Sequence, residues 1–198
     1  MMYLVCGVGL AGCLPRDPAP NLNLPALQDR FHGKYKAISS ISSEALDVNL
    51  DGKASTDMLV EIPELTASYR NYLELRIYNP SKNWLSTGYL FTQWWPEQYI
   101  WVNNQEWQIQ PIDYDPHLLV NYAMQGAIRT FTFSPSLDKL VLEPSDYADN
   151  SLRWKRPESV TVVGEHTIQI VNKKTLYTRM GVKEVTITTT YERFTTIT

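Results

Sequence analysis

The sequence predicts an all-β domain, an antiparallel barrel or, as the alternative, a β-sandwich, with one short helix. Three observations carry that expectation. Val, Ile, Thr and Tyr alternate with polar residues at period two in Thr167-Ile168-Gln169-Ile170-Val171 and from Lys183 to Tyr191, the pattern of strands with one wet face. Turn residues recur at hairpin-length intervals. Helical periodicity is nearly absent, which leaves packed or closed sheets as the architectures open to the chain.

In chain order the expected strands are Gly33 to Ile41, Tyr72 to Tyr78, Gly88 to Trp95, Gln98 to Val102, Glu106 to Ile112, Leu118 to Met124 and Ala127 to Phe133. Lys139 to Leu142, Ser159 to Val163, Thr167 to Val171, Thr175 to Arg179 and Lys183 to Tyr191 follow. Between them stand Asn79-Pro80-Ser81, Asn103-Asn104, Asp115-Pro116, Gly126, Ser134-Pro135, Val163-Gly164 and Met180-Gly181, each of which offers turn chemistry. The helix is expected over Ser55 to Leu65, opened by the cap-like Ser55-Thr56-Asp57 and carrying Met58, Leu59 and Ile62 on one face.

The 198 residues, 43% of them hydrophobic, suffice for one domain with a core. No apolar run reaches the length of a membrane-spanning helix. With 18 basic against 21 acidic residues the charge footprint of a nucleic-acid binder is missing, so no nucleic-acid partner is expected. Both cysteines, Cys6 and Cys13, lie at the start of the chain, which excludes a disulfide framework or a thiolate zinc site in the domain.

Residues 2 to 10 are apolar and run into Leu10-Ala11-Gly12-Cys13. That profile is a signal-peptide core ending at small residues. The four residues resemble the bacterial lipobox, and the resemblance implies that residues 1–13 are a lipoprotein signal with Cys13 as the acylated residue. Pro15, Pro18, Pro20 and Pro25 then mark residues 14–30 as an extended tether, and residues 31–198 as a single β domain.

Asp47-Val48-Asn49-Leu50-Asp51-Gly52-Lys53 places side-chain oxygens at alternate positions and a glycine at the sixth. A hard cation takes six to eight oxygens, and alternate residues of a curling loop can point theirs inward. The run resembles the opening of an EF-hand or dockerin loop. The resemblance implies Asp47, Asn49 and Asp51 as ligands of a structural Ca²⁺, with Lys53 offering its carbonyl. Position twelve is Met58 where that family has glutamate, so Asp57 or Glu61 must close the shell. The alternative is an Asx-rich turn before a capped helix.

Five of the six tryptophans lie between Trp84 and Trp107. Alternation sends Trp94 and Trp95 to opposite faces. Trp94, Trp95, Trp101 and Trp107 are therefore the candidate ligand-binding residues, as the lining of an apolar pocket or as a platform for sugar rings, with simple core filling as the competing reading. Catalytic patterns are lacking: no Gly-x-Ser-x-Gly, no His-x-x-x-His and no phosphate loop occur, and His32, His117 and His166 are widely spaced. Glu97, Glu106, Asp113 and Asp115 lie near the aromatic cluster without forming a recognisable acid pair. No enzyme is expected.

The lipobox, the proline-rich tether, the Gly33-Lys34-Tyr35 strand and the acidic loop together resemble the small lipocalin-like lipoproteins of Bacteroidetes. Tyr35 stands where lipocalins place the tryptophan of Gly-x-Trp. The resemblance implies a lipocalin-like barrel, a cell-envelope protein anchored at the outer membrane or on the periplasmic side, and a non-catalytic role. The implied partners are the membrane, through the lipid, and a small apolar or amphipathic ligand. A glycan or protein partner met by surface aromatics is the alternative.

Overall fold

The computed structural model describes residues 23–67, 72–79, 89–144 and 155–198. Cys6, Cys13, the lipobox and Trp84 lie outside the described residues. The elements are α1 (Leu24–Phe31), β1 (Gly33–Leu46), β2 (Ser55–Asp57), α2 (Met58–Glu61), α3 (Glu64–Ala67), β3 (Tyr72–Arg76), β4 (Tyr89–Val102), β5 (Gln105–Glu106), β6 (Val120–Phe133), β7 (Leu140–Leu142), β8 (Ser159–Gly164), β9 (Thr167–Thr178) and β10 (Gly181–Thr195).

Eight strands lie side by side in the order β7-β6-β4-β3-β1-β10-β9-β8, every described ladder antiparallel. Apart from the short β2 and β5, which pair with β1 and β4, that order is the chain order closed on itself. This is an up-and-down meander in which β1 meets β10 along Lys34 to Ser42. The two ends of the order, β7 and β8, touch through the bridge Lys139↔Thr161 and the bond from Val162 N to Asp138 O at 2.8 Å. The molecule is thus an all-β, lipocalin-like, nearly closed barrel, and the sandwich alternative falls.

Three pairs of expected strands are single long strands. Gly88 to Trp95 and Gln98 to Val102 are one strand, β4, which runs through Pro96; the last described pair with β3 is Leu73↔Gln93, so among the described residues Pro96 is laddered on one side, against Met124, where a missing N–H is tolerable. Leu118 to Met124 and Ala127 to Phe133 merge into β6 because Gly126 is a pairing residue opposite Trp94 and not a turn. Thr167 to Val171 and Thr175 to Arg179 merge into β9.

Two further expectations are corrected. The expected strand from Glu106 to Ile112 ends at once, since Ile109 takes a left-handed φ of 64° and Trp107 Nε1 donates to Gln110 O at 2.7 Å. Local side-chain bonds there outcompete a ladder. The helix expected over Ser55 to Leu65 is β2 followed by two single turns, because Pro63 cannot continue α2. Asp57 caps α2 by accepting from Leu59 N at 2.9 Å.

The tether does not reach residue 30. Leu24 to Phe31 is helical, with Pro25 in the first turn, where its missing N–H has no intrahelical partner to lose. Leu27 and Phe31, one turn apart, are buried in the core at one end of the barrel, where the Phe31 ring packs tilted against Phe133 with centroids 4.5 Å apart. The other core groups join Trp95 to Met58, Ile62 and Leu65 under the short helices, and Ile100 to Trp107 and Tyr177 at the far end.

Candidate functional site

The inward face of the barrel wall is set by strand parity. On β4 the same face presents Phe91, Gln93, Trp95 and Glu97; on β6, Gln125, Ala127 and Arg129; on β9, Asn172 and Lys174. Gln93 and Asn172 exchange amide bonds across the lumen, Nε2 to Oδ1 at 2.9 Å and Nδ2 to Oε1 at 3.2 Å. Gln93 also donates to the hydroxyl of Tyr191, which burial pushes up to about 12. Lys174 pairs with Glu97 at 2.5 Å and holds its ammonium 5.0 Å from the Trp95 ring centre. Trp95 lines this layer, and its Nε1–H is buried with no acceptor among the described residues. The free space left here is about 20 Å³, room for one water-sized group.

The four expected tryptophans do not converge. Trp95 lines the lumen, while Trp94 lies on the outer wall, as alternation requires, 6.2 Å from Tyr72. Trp107 is buried against Tyr177 at the far end, and Trp101 is 61% exposed. Gln93, Gln125, Arg129, Asn172 and Lys174 were missed as site residues, and Glu97 was set aside. Their signal was position: Gln93 and Glu97 stand two residues either side of Trp95, hence on its face.

The acidic loop closes on itself between β1 and β2. Gly52, at φ 90°, donates to Asp47 Oδ2 at 2.8 Å, the bond that folds the first six residues into a curl. A Cβ at Gly52 would meet only the mobile tip of Arg179, at 2.9 Å from Nη1, so it is the positive φ that calls for glycine. Asn49 Oδ1 accepts from Asp51 N, and Asp51 Oδ1 from Lys53 N. Glu61, 1% exposed, accepts from Val48 N at 2.8 Å and Asn49 N at 3.4 Å.

Burial raises the Glu61 carboxyl above its usual range, the two backbone donors pull it back, and Asp47 and Asp51 push it up again. Asp47 is 7% exposed, and its Oδ1 is buried without a hydrogen-bond partner. Of the six expected ligands, Asp47, Asn49, Asp51 and Glu61 are brought to one loop, with Lys53 following them. Asp57 is taken by the α2 cap. Among the described residues no three acidic, histidine or cysteine side chains stand close enough to hold a metal as they are.

Comparison with protein-family models, curated proteins and solved structures gives no match for this chain.

Proposed function

We propose that the chain is a lipid-anchored cell-envelope protein, non-catalytic, that binds an amphipathic small molecule with the polar end of the ligand in the barrel. The observation that supports this reading is the layer of Gln93, Trp95, Glu97, Asn172 and Lys174 inside the wall, where aromatic and hydrogen-bonding groups share one small cavity. A space of about 20 Å³ excludes a drug-sized apolar ligand without movement of core side chains, which favours a small polar group at this depth. Native mass spectrometry of the full-length protein extracted from membranes tests it. A co-purified small molecule, lost on Trp95→Phe with Asn172→Leu, supports the reading; identical spectra for both proteins refute it. Cys13→Ser must also move the protein from the detergent phase to the aqueous phase.

The second part of the proposal is a structural Ca²⁺ in the loop from Asp47 to Glu61. The buried, unpartnered Asp47 Oδ1 beside buried Glu61 favours it, because two desolvated carboxylates repel and a divalent cation removes that repulsion. Asp47, Asn49, Asp51 and Glu61 would supply side-chain oxygens and Lys53 its carbonyl. A hundredfold excess of ion over its Kd adds about 2.7 kcal/mol, and the melting temperature rises by roughly 5 to 10 °C. Asp47→Ala abolishes the rise. Equal melting in calcium and in chelator reduces the loop to a turn.

The outer wall favours a second reading. Tyr72 and Trp94 lie together there, and Trp101 is exposed, which suits a glycan- or protein-binding surface. Glycan-array binding lost on Trp94→Ala and kept on Trp95→Phe selects it.

A further inference from the structure

Helix α1 closes one end of the barrel, and its attachment there depends on an uncharged histidine. Gln28 and His32, one helical turn apart, take both backbone groups of Ile77 just past the end of β3. Gln28 Nε2 donates to Ile77 O at 3.0 Å, and Ile77 N donates to His32 Nδ1 at 2.9 Å. Arg193 on β10 adds bonds to Asp29 O at 2.6 Å and to His32 O at 3.4 Å. Its other terminal nitrogen meets His166 Nδ1 at 2.9 Å. Two of the three histidines in the chain thus meet at one joint, linked by one arginine.

An imidazole nitrogen accepts a hydrogen bond only while it keeps its lone pair. Protonated His32 leaves the buried Ile77 N–H without an acceptor, which loosens the attachment. We propose that α1 is an acid-released latch: protonation of His32 detaches the helix from Ile77 and opens the barrel end closed by Leu27 and Phe31, while the sheet stays folded.

Charged groups of both signs face His32. On β3 stand Glu74 and Arg76, bonded to each other at 2.8 Å; on β10 stands Arg193; Asp29 and Arg30 belong to α1 itself. Glu165 and His166 lie across the groove that separates α1 from the β8–β9 turn, and Thr198 Oγ1 is 3.3 Å from Nε2. Burial holds the His32 ring below its ordinary value; the Ile77 backbone contact and Glu74 act against burial, while Arg76 and Arg193 act with it, and the net direction is downward. The folded state therefore prefers neutral His32. The stability the latch contributes is complete above the ordinary histidine range and is lost as pH falls through the folded value.

Hydrogen exchange of the full chain at pH 7.5 and pH 5.0, corrected for intrinsic rates, reads the latch directly. The amides of Leu27, His32 and Ile77 lose protection about tenfold in acid while those of β9 and β10 keep theirs, since each pH unit below the pKa changes the neutral fraction tenfold. His32→Asn, whose Oδ1 can accept without titrating, keeps α1 protected at pH 5.0. Should that variant pack poorly, the wild-type Ile77 amide resonance must still shift in step with the His32 ring signals. Protection of α1 that is equal at the two pH values overturns the proposal. So does loss of α1 in step with β9 and β10, or an Ile77 resonance that stays fixed while His32 titrates.

Discussion

Glu97 and Lys174 face each other in the lumen with side chains 8% and 10% exposed, so each desolvates the other's charge. Breaking such a pair from one side leaves an uncompensated buried charge, worth about 3 to 5 kcal/mol, whereas replacing both members is far cheaper. Lys174→Met should lower stability by about 3 to 5 kcal/mol in urea denaturation, and Glu97→Gln added to it should recover much of the loss. A double variant as unstable as the single one denies the pair this role. On the opposite face of β4, Trp94 spreads over Gly126: a Cβ there would stand 2.9 Å from ring carbon Cε3. Gly126→Ala must lift the indole and should cost about 1 to 3 kcal/mol, an overpacking penalty. Adding Trp94→Ala should remove most of that cost, because the ring that clashes is gone; a full penalty in the double variant would place its origin in the backbone.

At the scale of elements, the strands were legible and their ends were not. Period-two runs such as Lys183 to Tyr191 lie within β10, because alternation reports a wall with one buried face whatever the turns do. Glycine misled: Gly126 reads as a turn, yet it pairs with Trp94 and lies under that residue's ring. The polar lumen stayed hidden because alternation does not tell which face of β4 closure turns inward, and Gln93 and Glu97 share that face with Trp95. Helix α1 was lost among prolines, though Leu24, Leu27 and Phe31 are spaced for one apolar face. Its burial gives a direct check. Phe31, 1% exposed and packed against the Phe133 ring, should cost about 3 to 5 kcal/mol as Phe31→Ala. A chain beginning at residue 32 should be less stable than one beginning at residue 23, by calorimetry, where a tether reading expects them equal.

The whole molecule is a meander whose closure is uneven. On one side β1 and β10 pair from Lys34 to Ser42, and β10 pairs with β9 along twelve positions from Gly181 to Glu192. On the other side, among the described residues, β7 and β8 meet at one bridge, Lys139↔Thr161, helped by Val162 N to Asp138 O. A barrel holds its shape only as well as its weakest ladder, because an unpaired edge leaves backbone groups to water. Local opening should therefore start at this seam. Opposed residues of an antiparallel pair have Cα atoms about 4.5 to 5.5 Å apart, inside the range a disulfide needs. Cysteines at Lys139→Cys and Thr161→Cys, in a chain whose Cys6 and Cys13 are serine, should form a bond on oxidation and close a loop of just over twenty residues. The chain-entropy gain for such a loop is about 3 kcal/mol, which for a domain of this size raises the melting temperature by roughly 6 to 12 °C. Amides of Leu140 to Leu142 and Ser159 to Val163 should become better protected than in the reduced form, with β10 unchanged. An oxidised protein that melts with the reduced one and shows the same exchange at the seam would mean that opening begins elsewhere in the wall.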